Sequence, residues 1–359
     1  MILSSEPTLL EPGASIHTYE LWRMIFCAKE FQKIWTYLEG NYPCYAGGKT
    51  LTLKLAGLKV KLCQKKDGSG SIFLKVNPLK LLDATVHAAE IIPPERNRLK
   101  ASWKELGKRL AELKLPHGPE DYRVTRVDCC VNLRAERNGY VRETLRLAGK
   151  CLTPDAGERH PFYDKRLGRK ENRSCNRDYY CVAVRRGTHV MYDKHKQGLR
   201  CHLLGVDRMP KCVLRTELRL EGDGLTEQRK RLHCKSEESV VTELAMHSGE
   251  VFREMLPNLY RRGVYVREDA LMAAIDRCDC QEKSRRHMAE YVRLAKKYGE
   301  DKAAGKYMKR NGCGRKSFLR MRGRFEKMNL QPVPLRKNFR EDVLEPPEAC
   351  LLQLLKQHK

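Results

Sequence analysis

Residues 122–133, Tyr-Arg-Val-Thr-Arg-Val-Asp-Cys-Cys-Val-Asn-Leu, alternate apolar and polar side chains. That period predicts a β-strand with Val127, Cys129, Val131 and Leu133 in a core. Arg126, Asp128 and Asn132 share its other face with Cys130. Two later segments repeat the pattern. Residues 212–221 place Leu214, Leu218 and Leu220 on one side and Arg215, Glu217 and Arg219 on the other. Residues 188–194 place Tyr192 and Lys194 two apart, hence on the same side of an expected strand.

Further strands are expected at Tyr179–Val184, at 51–62 as a half-buried strand or bent pair around Gly57, and at 71–76 after the turn at 66–70. Residues 20–40 read as a helix, with Leu21, Ile25, Phe31, Ile34 and Trp35 as its apolar positions. A second helix opens at Pro94 and runs to about Leu113, and a short one covers 138–149. Residues 152–177 are polar and irregular, an expected exposed loop. After Gly224 the only strand signal is Val264–Val266.

Strands with intervening helices, followed by helices, predict an α+β fold. The expected form is a mainly antiparallel sheet domain with flanking helices over 1–225 and a helical connector over 226–280. A basic all-α region follows over 281–345, then a tail over 346–359. Helices are expected at 284–298, 301–310 and 314–328, punctuated by Gly299, Gly312 and Gly314. Arg315, Lys316, Arg320 and Arg324 fall on the last of these. Phe318, Met321 and Phe325 form its apolar side. A helix-turn-helix whose second helix reads the major groove, or a basic bundle touching only phosphates, both satisfy this pattern.

The net charge of +26 sets the class of partner. A chain this basic repels itself, and an anionic polymer relieves the repulsion; Lys and Arg on phosphates also release counterions. No apolar run reaches the roughly 18 residues of a membrane helix. Glu6 and Glu11 break the first apolar stretch, so no signal peptide is expected and the chain reads as cytoplasmic. The 15 cysteines contain no Cys-x-x-Cys pair, and they read as reduced, small apolar residues.

If the polar strands are neighbours, two carboxylates, a tyrosine and several cations meet on one surface. That set suits phosphodiester cleavage. Asp128 and Glu217 are expected to hold Mg²⁺ or Mn²⁺, and a metal there would act as a Lewis acid on a phosphate oxygen. A tyrosine hydroxyl such as that of Tyr192 can attack phosphorus, with a nearby cation such as Lys194 or the metal favouring its phenolate. Each residue alone also suits a surface ion pair or a solvated strand tyrosine.

At these residues the chain resembles a known family. Val124-Thr-Arg-Val-Asp128 is similar to the (I/V)-(T/S)-R-(I/V)-D strand of filamentous-phage replication initiators, the gene II/X family. Residues 188–195 resemble that family's nucleophile strand, in which lysine follows the tyrosine two residues on. Residues 213–219 resemble its later (V/L)-R-x-E strand, and Lys75–Lys80 a strand end before those three. The resemblance runs from about residue 71 to 330. It implies a rolling-circle initiator that nicks one strand of an origin, stays on the 5′ phosphate through Tyr192 and frees a 3′ hydroxyl. Asp128 and Glu217 would be active-site acids and Lys194 an active-site cation. Arg126, Arg215, Arg219, Lys75, Arg315, Lys316, Arg320 and Arg324 would contact double- and single-stranded DNA. A bacterial host's helicase and polymerase would be partners. The sequence departs from the pattern at Asp193, which stands where an apolar residue is expected and so takes a structural role. No His-hydrophobic-His metal motif is present. The rival readings are a trans-acting plasmid initiator, with the same chemistry, and a non-enzymatic DNA-binding replication or regulatory protein. A tyrosine recombinase lacks support, because no Arg…His-x-x-Arg…Tyr arrangement is found.

Overall fold

The structure is a computed structural model that describes residues 7–151, 158–159, 179–184, 186–201, 203, 206–258 and 262–357. Most of the loop expected at 152–177 lies outside the described residues. The first half carries β1 (Thr8–Ile25), α1 (Ala28–Asn41), β2 (Cys44–Gly47), β3 (Thr50–Leu55), β4 (Leu58–Gln64) and β5 (Gly70–Val76). Next come α2 (Pro78–Leu82), α3 (Arg96–Glu112), β6 (Arg123–Arg134), α4 (Asn138–Ala148) and β7 (Glu158–Arg159). They are followed by β8 (Tyr179–Val184), β9 (Gly187–Asp193), α5 (Lys194–Arg200) and β10 (Val213–Glu221).

The ten strands form one sheet in the order β2-β3-β4-β5-β1-β6-β10-β9-β8-β7, each neighbour antiparallel. Mixed α+β architecture with a large antiparallel sheet is therefore as expected. The three polar strands are adjacent: β6 pairs with β10, and β10 with β9.

The expected helix over 20–40 divides. Its first part belongs to the central strand β1, and only Ala28–Asn41 is helical. Leu21 and Ile25 fit helical spacing, but they fit strand alternation equally well. The buried Tyr19 and Leu21 against the partly exposed Glu20 and Trp22 show which period won. Strand β1 lies between β5 and β6, so pairing on both edges decided it.

One face of the sheet carries the main core. Tyr19, Leu21, Val60, Leu74, Val127, Val131 and Leu218 meet Phe31 and Leu38 of α1 and Leu106 and Leu110 of α3. Three helices beyond the sheet strands, α6 (Gly222–Arg231), α7 (Glu237–Met246) and α8 (Ser248–Met255), join them through Leu225, Val240, Leu244 and Phe252. The segment expected as a connector thus begins as a wall of the first core.

A second core lies between β11 (Tyr265–Val266), α9 (Glu268–Arg277), α10 (Glu282–Tyr298), α11 (Glu300–Asn311) and α12 (Arg315–Lys327). Tyr291, Tyr307, Phe318 and Phe325 pack ring against ring there. The buried Arg322 guanidinium donates to Glu300 at 2.7 Å and to Gln331 at 2.6 Å, tying α12 to the start of α11. The three expected helices are present within a few residues. The region is not purely helical, because β12 (Val343–Leu344) pairs with β11. Nor is the C-terminus a tail: α13 (Pro347–Gln357) buries Leu351 and Leu355 in the sheet core. No helix among the described residues is long and apolar enough to cross a membrane. No disulfide joins the cysteines among the described residues.

Candidate active site

The polar face of β6, β10 and β9 lies opposite the main core. Register places Tyr192 beside Arg215, Glu217 beside Cys130, and Arg219 beside Asp128. A segment after α2 crosses the β6–β10 end of this face. The Ala89 carbonyl accepts from Arg215 Nη2 and from Asn132 Nδ2, both at 2.6 Å, while Arg215 Nε donates to Asn132 at 2.8 Å. Arg215 is thereby completely buried.

Tyr192 is buried, and its hydroxyl donates to Glu217 Oε1 at 2.5 Å. Its ring stacks on Tyr179 of the next strand, with centroids 6.3 Å apart. Arg219 Nη2 donates to the other Glu217 oxygen at 3.2 Å. His17, at an irregularity in β1, approaches Glu217 at 3.8 Å. Two guanidinium N–H groups here, Arg215 Nη1 and Arg219 Nε, are buried with no hydrogen-bond partner among the described residues. A buried donor left unpaired is costly, so such a pair marks a place where an acceptor can enter.

Lys194 is not a strand residue. It opens α5, and Asp193 caps that helix by accepting from the Lys196 amide at 3.1 Å. The structural role expected of Asp193 is this cap. The Lys194 side chain still turns into the site: it is buried, with Nζ 5.6 Å from the Tyr192 ring centroid and donating to Gln197 at 2.8 Å.

The electrostatics follow from crowding. Burial pushes the Tyr192 hydroxyl well above its ordinary pKa, and the Glu217 charge adds to this. Burial also raises the Glu217 carboxyl. Arg219, Arg215, the Tyr192 hydrogen bond and Lys194 outweigh it, so the net shift is downward. Burial, then Arg215, holds Lys194 well below the usual lysine range. His17 is lowered by burial, then by Arg215 and Lys194, which favours the neutral imidazole.

Asp128 belongs to an adjoining ion-pair chain. Thr18 Oγ1 donates to it at 2.6 Å, and Arg126 grips both its oxygens at 2.6 and 2.8 Å. Arg126 also reaches Glu20 at 3.3 Å, and Lys75 reaches the same Glu20 oxygen at 3.5 Å. Asp128 and Glu217 were expected to hold a metal, but both oxygens of each already serve arginine, threonine or tyrosine donors. No group of three or more His, Cys, Asp and Glu with metal-binding geometry occurs among the described residues. Arg215, Arg219 and Arg126 stand around these two carboxylates. The residues present do not fit a resident Mg²⁺ or Mn²⁺ in this arrangement.

The fold therefore brings together Tyr192, Lys194, Glu217, Arg215 and Arg219, with Asp128 and Arg126 alongside. Arg315, Lys316 and Arg320 are exposed on α12 in the second core, and Arg324 is half-buried. Sequence reasoning missed His17, Thr18 and the Ala89 carbonyl; none sits in a local pattern that announces chemistry. No protein-family model and no curated protein matches this chain.

Proposed function

We propose that the protein is a rolling-circle-type DNA nickase with Tyr192 as nucleophile. The observation that carries this reading is the Tyr192–Glu217 hydrogen bond set against two unpartnered guanidinium donors. A phosphodiester is the ligand this arrangement suits: an anion for Arg215 and Arg219, placed beside a hydroxyl and its base. Phosphate entry draws Arg219 charge away from Glu217, and the carboxylate becomes a stronger base. Tyr192 Oη then passes its proton to Glu217 and attacks phosphorus, forming a bond to the 5′ phosphate. The bond to the 3′ oxygen breaks, and that oxygen leaves with the electron pair. Lys194, whose ammonium form the entering phosphate charge favours, is suited to protonate it. Arg215 and Arg219 offset charge growing on the equatorial oxygens. The basic helices α10 to α12 suit origin duplex, and the freed 3′ hydroxyl suits extension by a host polymerase behind a host helicase, in a bacterial cytoplasm.

The test is incubation with supercoiled DNA carrying the cognate origin, followed by detection of nicked circles and protein covalently joined to DNA. Tyr192→Phe keeps the ring and its stacking but loses the hydroxyl. It is expected to abolish both products while binding DNA within about twofold of wild type, since only one hydrogen bond is removed. Adduct persisting in this variant moves the nucleophile elsewhere, with Tyr179 next in position. DNA binding with no nicking under any condition favours the non-enzymatic reading.

A further inference from the structure

The face that holds Tyr192 continues past β6 onto the open half of the sheet. Cross-strand register draws one row there through Arg123, Trp22, Phe73, Lys61, Thr52 and Tyr45. A second row beside it runs through Arg126, Glu20, Lys75, Lys59 and Lys54. Both rows point away from the main core. Phe73 is 41% exposed and Tyr45 69% exposed. Trp22 is half-buried beside Phe73.

Large apolar rings on a solvated sheet face are unusual in company with so much charge. The two rows hold Lys54, Lys59, Lys61 and Lys75, and the one acid among them, Glu20, is already shared by Lys75 and Arg126. Lys54 Nζ lies 5.5 Å from the Tyr45 ring centroid. Partial burial, then Lys54, Lys75 and Lys61, lowers the pKa of Lys59, a sign that these ammonium groups repel one another. Phosphates relieve that repulsion; a neutral or basic partner does not. Rings with cations between them match what an unpaired strand offers, since every base has a π-face and every linkage a charge. A duplex hides its base faces in its own stack. Phe73 and Tyr45 are three strands apart, about 14 Å at ordinary strand spacing, enough room for several bases.

We propose that this face of β1 to β5 is a docking track for single-stranded DNA. Bases stack on Trp22, Phe73 and Tyr45, and phosphates pair with Lys54, Lys59 and Lys61. The track leads along Lys75, Arg126 and Arg219 to Tyr192, and it rests on the nickase reading for its purpose. It explains how a nicked or melted strand is held in reach of the nucleophile.

Binding is measured in the Tyr192→Phe background, so that cleavage plays no part. The probes are fluorescent oligothymidylate, oligouridylate of equal length and a random-sequence duplex, each across a salt series. Phe73→Ser with Tyr45→Ser is expected to weaken oligothymidylate binding at least about tenfold and duplex binding less than about twofold. Lys59→Gln with Lys61→Gln, both at exposed sites, is expected to lower the single-strand salt slope by about 1.4, or about 0.7 for each phosphate no longer neutralised. Thermal melting of each variant checks the fold. Oligothymidylate affinity unchanged in both pairs overturns the track. So does an equal loss on duplex, and tighter wild-type binding of oligouridylate overturns its assignment to DNA. The two readings fail separately: covalent adduct without loss in these variants sinks the track alone, and loss in these variants without any wild-type adduct sinks the nickase alone.

Discussion

The Tyr192 hydroxyl donates a hydrogen bond to Glu217, and the same carboxylate accepts from Arg219 two residues along its own strand. Glu217 thus links the Tyr192 hydroxyl to the Arg219 guanidinium, the two groups that the proposed reaction would turn on a phosphate. The shifts favour an ionised Glu217 beside a protonated Tyr192. In the proposed reaction, the substrate phosphate would take Arg219 away from Glu217.

Arg219→Gln separates the two duties. The variant loses one charged donor to the phosphate but keeps the strand's packing, because Arg219 is partly exposed. Adduct formation is expected to slow by about 10² to 10³, the usual effect of removing one such donor. Overall DNA affinity, spread across the basic surface, is expected to change much less. Single-turnover kinetics at saturating oligonucleotide measures this; an unchanged rate would leave Arg219 as a simple ion-pair partner.

The engaged state of both carboxylates bears on metal binding. Calorimetric titration of the DNA-free protein with Mn²⁺ is expected to show no saturable site below the millimolar range. A divalent ion would have to displace Arg126 from Asp128, or Tyr192 and Arg219 from Glu217, in a field that is already positive. Tight stoichiometric binding that Glu217→Gln removes would restore the carboxylates as metal ligands.

Glu348 on α13 gives the fold a pH dependence of its own. Its carboxyl is buried, and burial raises its pKa to about 8. Unfolded, it ionises near its ordinary value, roughly 4.3. Between these values the folded chain binds more protons than the unfolded one. Stability from this group is therefore full at acid pH and is lost as pH rises through about 8. Glu348→Gln is expected to raise the melting temperature at alkaline pH and to change it little near pH 5, flattening a slope worth on the order of a few kcal/mol. Parallel pH profiles for variant and wild type would contradict this.

Division of labour between the two cores calls for substitution rather than truncation. Removing everything from residue 281 also strips α13 from the sheet core, where Leu351 and Leu355 are buried. Arg315→Gln, Lys316→Gln and Arg320→Gln together leave both cores intact. The salt slope of duplex binding is expected to fall by about 0.9 for each phosphate that these side chains neutralise in the wild type. Adduct formation on a short single-stranded origin oligonucleotide, the control for an intact site, is expected to stay near wild type. A slope that does not move would place the duplex-binding surface elsewhere.

Much of this was legible in the sequence, because alternation over 122–133 and 212–221 is a local property. It set which side chains share a face, and hence that Arg126 and Asp128, or Arg215, Glu217 and Arg219, act together. Helix punctuation was equally local: Gly299, Gly312 and Gly314 mark the ends of α10, α11 and α12 where expected. The antiparallel α+β class followed from these patterns. What only the tertiary structure decided is which strands are neighbours. Residues 20–25 fit a helix and a strand by period alone, and two paired edges made them strand β1. That choice put Thr18 against Asp128 and Trp22 against Phe73, pairs separated too far along the chain for any local signal to join them. The same holds for α13, whose apolar residues found the sheet core rather than solvent. It holds for both carboxylates, whose donors come from four strands, β1, β6, β9 and β10. Local physics fixes the face a side chain takes; long-range pairing fixes what that face meets, and the chemistry depends on the second.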